Sequence, residues 1–354
     1  MDNKTIVPFV DFPASYKKIK LEIDAAIQRC LNNGDFILRK DVEEFEENLA
    51  KYVGVKYAVG VNSGTDALFL SLKALEIGQG DEVITSGYTF WATVEAIINC
   101  GAKPVLADIQ RDSLLIDPED IKKKITDRTK AIIPVHIGGN VCDMNTIMDI
   151  ALEKDLFVIE DAAQGLGAIK NPTTNAQCFS FYPAKVLGCY GDGGAITTNV
   201  KKIAEKVRLL RDHGRKTKHE TVCVGYNSRL DNIQAAILNV KLARIEEIIA
   251  RRIEIADIYD NGLSCLNGIG QIVLPKSKTY QEYNLVVPWK RDDLYKFLKE
   301  KGVETIVGDY TFPEKQPVKA KIANGNILRL PIWPTLTDKQ IEYVITAIKN
   351  FYGN

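Results

Sequence analysis

The stretch Val158-Ile-Glu-Asp-Ala-Ala-Gln-Gly-Leu-Gly167 reads as a buried apolar strand that ends in two acids and runs into a glycine-punctuated turn. In an open α/β sheet, ligands gather in the crevice beyond the carboxyl ends of the strands. A strand that delivers carboxylates to that end therefore marks the edge of the sheet where a site is expected. Successive strand residues face opposite ways, so Glu160 and Asp161 point in different directions. Asp161 is taken as the ligand-facing acid.

Outward from this strand, similar short apolar runs recur at Val83-Ile84, Pro104-Val-Leu106, Ala131-Ile-Ile-Pro-Val135 and Leu156-Phe-Val-Ile159. Between and before them, apolar residues at helical spacing predict helices over 15–32, 41–53, 65–75, 91–100 and 144–154. This alternation predicts an α/β fold with a mostly parallel sheet flanked by helices. After residue 230 the texture changes. One long amphipathic helix is expected over 231–260, followed by short strands and helices at 291–301 and 337–351. At 354 residues the chain is longer than a single core usually supports. We therefore expect a large domain over 1–240, with an N-terminal arm, and a smaller C-terminal α/β domain over 241–354.

Composition narrows the function classes. The 46 basic and 46 acidic residues cancel, which argues against a nucleic-acid groove or a basic membrane-binding face. No apolar run approaches the roughly 20 residues that span a bilayer, and the start lacks an apolar signal core. The seven cysteines are scattered without a C-x-x-C pair, away from the three histidines. A reduced, cytoplasmic protein without a metal site is the expectation.

Four segments carry chemistry. In Asn62-Ser-Gly-Thr-Asp-Ala-Leu68, the residues Ser63, Gly64 and Thr65 open a helix, where free N–H groups and the helix dipole favour a phosphate. The same pattern also suits an ordinary helix cap, and it lacks the lysine of a nucleotide-triphosphate loop. Phe179-Ser-Phe-Tyr-Pro-Ala-Lys185 ends in a lysine that precedes a glycine-rich stretch, with Ser180 available as a second phosphate donor. Lysine forms Schiff bases, the bond by which enzymes hold pyridoxal 5'-phosphate (PLP). Asp161 would then pair with the pyridine nitrogen of PLP. Gly87-Tyr-Thr-Phe-Trp-Ala-Thr93 offers a ring to stack on a flat heterocycle, though aromatic residues at such junctions also serve as core.

The ordered set SGTDAL, YTFWAT, EDAAQGLGA, FSFYPAK with GDGGA, and GYNSRLDNIQAAIL resembles the PLP-dependent nucleotide-sugar aminotransferases of the DegT/DnrJ/StrS family. The resemblance runs from about residue 8 to the C-terminus. It implies the fold type I, aspartate-aminotransferase-like architecture and a homodimer with shared active sites. It implies that Lys185 carries the cofactor and moves the proton, and that Asp161 pairs with the ring nitrogen. Gln164 would lie against the ring, Phe90 would stack on it, and Gly64, Thr65 and Ser180 would hold the phosphate. Asn227 would reach the phosphate of the partner subunit's site, and Arg229 is a candidate for an anionic group of a substrate. The implied reaction moves an amino group from L-glutamate to a keto sugar nucleotide. Asp66 resembles the subgroup acting at the sugar C3, so a 3-keto substrate is favoured over a 4-keto one.

Two stretches depart from the family pattern. Thr305-Ile-Val-Gly-Asp-Tyr-Thr-Phe-Pro313 has glycine at 308 and no histidine, and the loop after Ala168 is short. Both bear on substrate recognition. A sugar 3-dehydratase of the same fold would carry histidine in place of Lys185. An aminotransferase acting on a cyclitol ketone and a PLP-binding regulator without turnover stay open as alternatives.

Overall fold

The computed structural model describes residues 7–266, 275–308, 310 and 315–353. Seven strands form the main sheet: β1 (Tyr57–Val61), β2 (Glu82–Ser86), β3 (Lys103–Ala107), β4 (Thr129–Ile133), β5 (Phe157–Asp161), β6 (Ala176–Ser180) and β7 (Gly194–Thr198). Their spatial order is β1-β7-β6-β5-β4-β2-β3. The ladders β3/β2, β2/β4, β4/β5 and β5/β6 are parallel, whereas β7 runs antiparallel to both β6 and β1. The 181–193 connection contains no helix, and the chain returns antiparallel as β7 instead of crossing over to a parallel strand.

This one reversal decides where the site lies. Because β1 and β6 are each antiparallel to β7, they point the same way as the parallel block. The carboxyl ends of β1, β2, β5 and β6 therefore share one edge of the sheet. The four segments singled out in the sequence begin at those four ends.

The sheet interior is apolar on both faces. Leu70, Leu72, Ile97, Ile133, Ile159 and Ile196 are buried against one face, and Phe45, Phe179, Phe181, Leu230 and Leu238 belong to another buried cluster. A hairpin of β8 (Arg215–Thr217) and β9 (Glu220–Thr221) follows. The last third of the chain adds a three-stranded antiparallel sheet in the order β10 (Tyr283–Val286), β12 (Ile327–Leu330), β11 (Ile306–Val307). Its separate core gathers Tyr259, Leu285, Leu294, Leu298, Leu328 and Ile348, together with Val7.

Most expected helices match within a residue or two, but two do not. The 15–32 helix is broken at Ile19 into Phe12–Lys18 and Lys20–Asn33, because Ile19 leaves helical geometry at φ −123°, ψ 20°. The 231–260 helix is likewise two helices, Asn232–Leu242 and Ile245–Leu263. The break at Ala243-Arg244 separates a helix that packs on the large-lobe helices from one whose Ile255, Ala256, Tyr259 and Leu263 enter the second core. Periodicity continues across both breaks, so spacing alone does not reveal them. Three further helices, Pro118–Lys124, Lys201–Arg211 and Val318–Asn326, are not among those expected. Among the described residues, no helix is long and apolar enough to cross a membrane.

Candidate active site

A cavity of about 580 Å³ opens at the shared edge of the sheet. Ser63, Gly64, Thr65, Phe90, Asp161, Gln164, Ser180 and Lys185 all line it. They come from the segments at the ends of β1, β2, β5 and β6, and they meet there because those strands end on the same side.

At one end of the cavity, Ser63 caps the helix Gly64–Ala74 by accepting from the Asp66 N–H at 3.1 Å. The cap orders the first turn and turns its N–H groups toward the cavity edge. Ser180 ends β6 directly beside it: a Cβ on Gly64 would come within 2.7 Å of the Ser180 Cβ. Gly194 of β7 supports the same turn from behind, where a Cβ would lie 2.3 Å from the Ser63 carbonyl. Only glycine permits both approaches, and together they form a cradle of donors suited to a phosphate.

At the other end, Asp161 is buried, and its two oxygens are held separately. Thr93 donates to Oδ2 at 2.7 Å, and the Ala163 N–H donates to Oδ1 at 3.1 Å. Thr89 lies 2.7 Å from Thr93 and completes the chain of hydroxyls. Burial pushes the Asp161 carboxyl above the ordinary carboxylate range, against the pull of these donors and of Lys185. Glu160 does face the other way, hydrogen-bonded to His136 at 2.8 Å and to Thr174. The Cys142 N–H donates to His136 Nδ1, so His136 carries its proton on Nε2 and donates it to Glu160.

Lys185 lines the same cavity, in a turn closed by its own N–H to the Tyr182 carbonyl at 2.8 Å. Burial pulls its ammonium below the ordinary lysine value, with the Glu282 and Asp161 carboxylates opposing this and Arg329 adding to it. The aromatic segment divides by role. Tyr88 is buried core, whereas Phe90 is 63% exposed, its ring turned to the cavity and edge-on to Tyr310 at 6.3 Å. Gln164 accepts from the Gly138 N–H at 2.5 Å and donates to Glu282 at 2.9 Å.

Two expected residues lie outside this chain's own cavity. Asn227 is exposed, and Arg229 is paired with Asp212 at 3.0 Å. Of the departing 305–313 stretch, Asp309 and Thr311 to Pro313 lie outside the described residues. Gly308 is packed so closely that a Cβ would come within 2.8 Å of Ile327, and Tyr310 lines the cavity. Sequence reasoning missed Thr93 as the partner of Asp161, although it stands inside the aromatic motif. It also missed Glu282, Arg329 and Arg252, cavity-lining charges from the last third of the chain, where no motif points to them.

The model of the DegT/DnrJ/EryC1/StrS aminotransferase family matches residues 17–349. The chain belongs to this family. A Pseudomonas aeruginosa relative, named UDP-2-acetamido-2-deoxy-3-oxo-D-glucuronate aminotransferase, is 42% identical over 98% of this chain and 100% of its own length. A Geobacillus stearothermophilus relative, named pleiotropic regulatory protein, is 39% identical over 98% of each chain. The crystal structure of S. venezuelae DesV in complex with a ketimine intermediate superposes with a TM-score of 0.93 at 35% identity, covering 99% of both chains.

As a DegT-family member, the protein is a PLP-dependent aminotransferase with the fold these enzymes share. The residues present fit the cofactor. A donor cradle made by two close-packed glycines suits its phosphate, and a buried carboxylate lacking a full positive partner suits a protonated ring nitrogen. A desolvated amine lines the same cavity.

Proposed function

We propose that this aminotransferase moves an amino group from L-glutamate to a 3-keto sugar nucleotide. When bound, PLP supplies an electron sink for the carbon that gains or loses hydrogen. The chain's own residues do the rest. Ser63, Gly64, Thr65 and Ser180 hold the phosphate, and Phe90 covers one face of the ring. Asp161, fixed by Thr93 and the Ala163 N–H, keeps a proton on the ring nitrogen. Lys185 carries the cofactor and then takes up and returns the proton at Nζ. A lysine whose ammonium is weakened by burial is partly neutral near physiological pH, as a base must be.

The observation that carries this reading is the convergence of Lys185, Asp161 and the Ser63–Thr65 cradle on one cavity. The 3-keto preference is supported by Asp66 in the SGTDAL motif and by the name of the Pseudomonas relative. Asn227 is exposed and Arg229 partly exposed, both outside this chain's own cavity, which suits contribution to a partner's site, so we propose a homodimer with shared sites in the cytoplasm. Incubating the holoenzyme with glutamate and either a 3-keto or a 4-keto sugar nucleotide tests the substrate. Amino-sugar product from the 3-keto compound is expected, and turnover of the 4-keto compound alone would overturn the preference. The glutamate half-reaction tests turnover itself: an enzyme loses its visible cofactor band on adding glutamate, whereas a PLP-binding regulator keeps it.

A further inference from the structure

The cavity contains an ion pair that the cofactor does not need. Glu282, just ahead of β10, and Arg329, on the neighbouring β12, face each other across the wall beside Lys185. Arg329 is buried and Glu282 is partly buried, and Arg329 Nε approaches Glu282 Oε2 to 2.9 Å. The contact is an attraction of charges without an aligned hydrogen bond, since both Arg329 Nε and Glu282 Oε2 lack a hydrogen-bond partner. The other partners are well made. Arg329 lies over the Tyr310 ring at 4.8 Å and reaches the Tyr88 hydroxyl at 3.3 Å, while Glu282 Oε1 accepts from Gln164 at 2.9 Å.

A buried pair of this kind is poor at stabilising a fold, because desolvation offsets most of the attraction. Here it also leaves a donor and an acceptor unsatisfied at the wall of a substrate cavity. The same cavity must receive two unlike substrates in turn, a dicarboxylate amino donor and a hydroxyl-rich sugar. A planar guanidinium recognises carboxylates in bidentate fashion. The other cavity arginine, Arg252, is committed to the carbonyls of Tyr280 and Gln281, at 3.0 and 3.4 Å.

We propose that Arg329 anchors a carboxylate of the amino donor, and that Glu282 is the internal carboxylate holding its place when the donor is absent. The proposal rests on the aminotransfer reading above. It makes Arg329 a specificity-determining residue: its charge is offered to the donor and neutralised by Glu282 while the sugar occupies the cavity.

The test is binding of glutarate, which has the donor's two carboxylates and no amino group, to the holoenzyme by titration calorimetry. Replacing Glu282→Gln removes the internal competitor while leaving an acceptor for Gln164, and glutarate is expected to bind about tenfold tighter. Adding Arg329→Met to that variant, so that no lone charge is buried, is expected to weaken glutarate about 30-fold or more relative to Glu282→Gln alone. Unchanged or weaker binding in Glu282→Gln overturns the proposal, as does equal binding in the double variant. UDP-glucuronate against UDP-glucose forms a second arm. If loss of Arg329 weakens UDP-glucuronate and spares glutarate, the carboxylate belongs to the sugar and the donor assignment is wrong. Glutarate binding needs no turnover. A holoenzyme that aminates no keto sugar nucleotide would refute the proposed function, and the glutarate series would still decide this inference.

Discussion

Thr93 donates its hydroxyl hydrogen to Asp161 at 2.7 Å, from the first turn of the helix Trp91–Asn99. The contact ties the carboxyl end of β5 to the turn after β2, and so fixes the acid that we propose for the ring nitrogen relative to the Phe90 ring that would cover the cofactor.

Thr93→Val keeps the shape and removes the donor. A hydrogen bond to a charged group is worth about 1.5–3 kcal/mol, so turnover should fall about tenfold or more. Burial already raises the Asp161 carboxyl, and Thr93 opposes that rise. Without the threonine the carboxyl rises further, and activity is lost at a higher pH as the medium is acidified. A pH–rate profile should therefore show its acid limb moved upward; an unmoved limb would mean that Thr93 only packs.

Gly194→Ala tests the phosphate cradle without touching a cofactor-binding side chain. The added Cβ meets the Ser63 carbonyl carbon and oxygen at 2.3 Å and the Gly64 nitrogen at 2.7 Å. Overpacking of this kind costs about 1–3 kcal/mol, and here it also displaces the helix N-terminus. Cofactor release should accelerate, with PLP affinity down by about tenfold, alongside a lower melting temperature. Fluorescence titration of the apoenzyme and a thermal melt measure the two effects.

Lys241 gives a pH dependence outside the catalytic groups. It donates to the Gly188 carbonyl at 2.5 Å in the loop after Lys185 and lies over the Tyr190 ring at 4.1 Å. Burial pulls its ammonium down to about 8. The unfolded chain keeps that proton up to the ordinary lysine value of about 10.4, so between these limits the unfolded state binds more protons. Stability should therefore rise with pH across that window relative to Lys241→Met, by about 1–3 kcal/mol in total. Urea unfolding at pH 7.5, 9 and 10.5 reads it; parallel curves for the two proteins would contradict the burial of this charge.

The sequence made the cofactor end of the site legible because each anchor sits at the end of a short apolar strand, where side-chain alternation and helix starts follow simple rules. Asp161, Lys185 and the Ser63–Thr65 turn could be found that way. The reversal of β7, which gathers those ends on one edge, has no local signature. Glu282 and Arg329 were invisible for a similar reason: they become neighbours only through the pairing of β10 with β12, more than 40 residues apart in the chain. The breaks at Ile19 and Ala243-Arg244 escaped because apolar spacing continues through them and the direction changes only in tertiary packing.

Trapping the lysine tests the central claim most directly. Borohydride reduction of the holoenzyme followed by peptide mass spectrometry should find the pyridoxyl group on Lys185 alone, and Lys185→Ala should show neither that label nor turnover. A label on another lysine, or an active Lys185→Ala enzyme, would contradict the account.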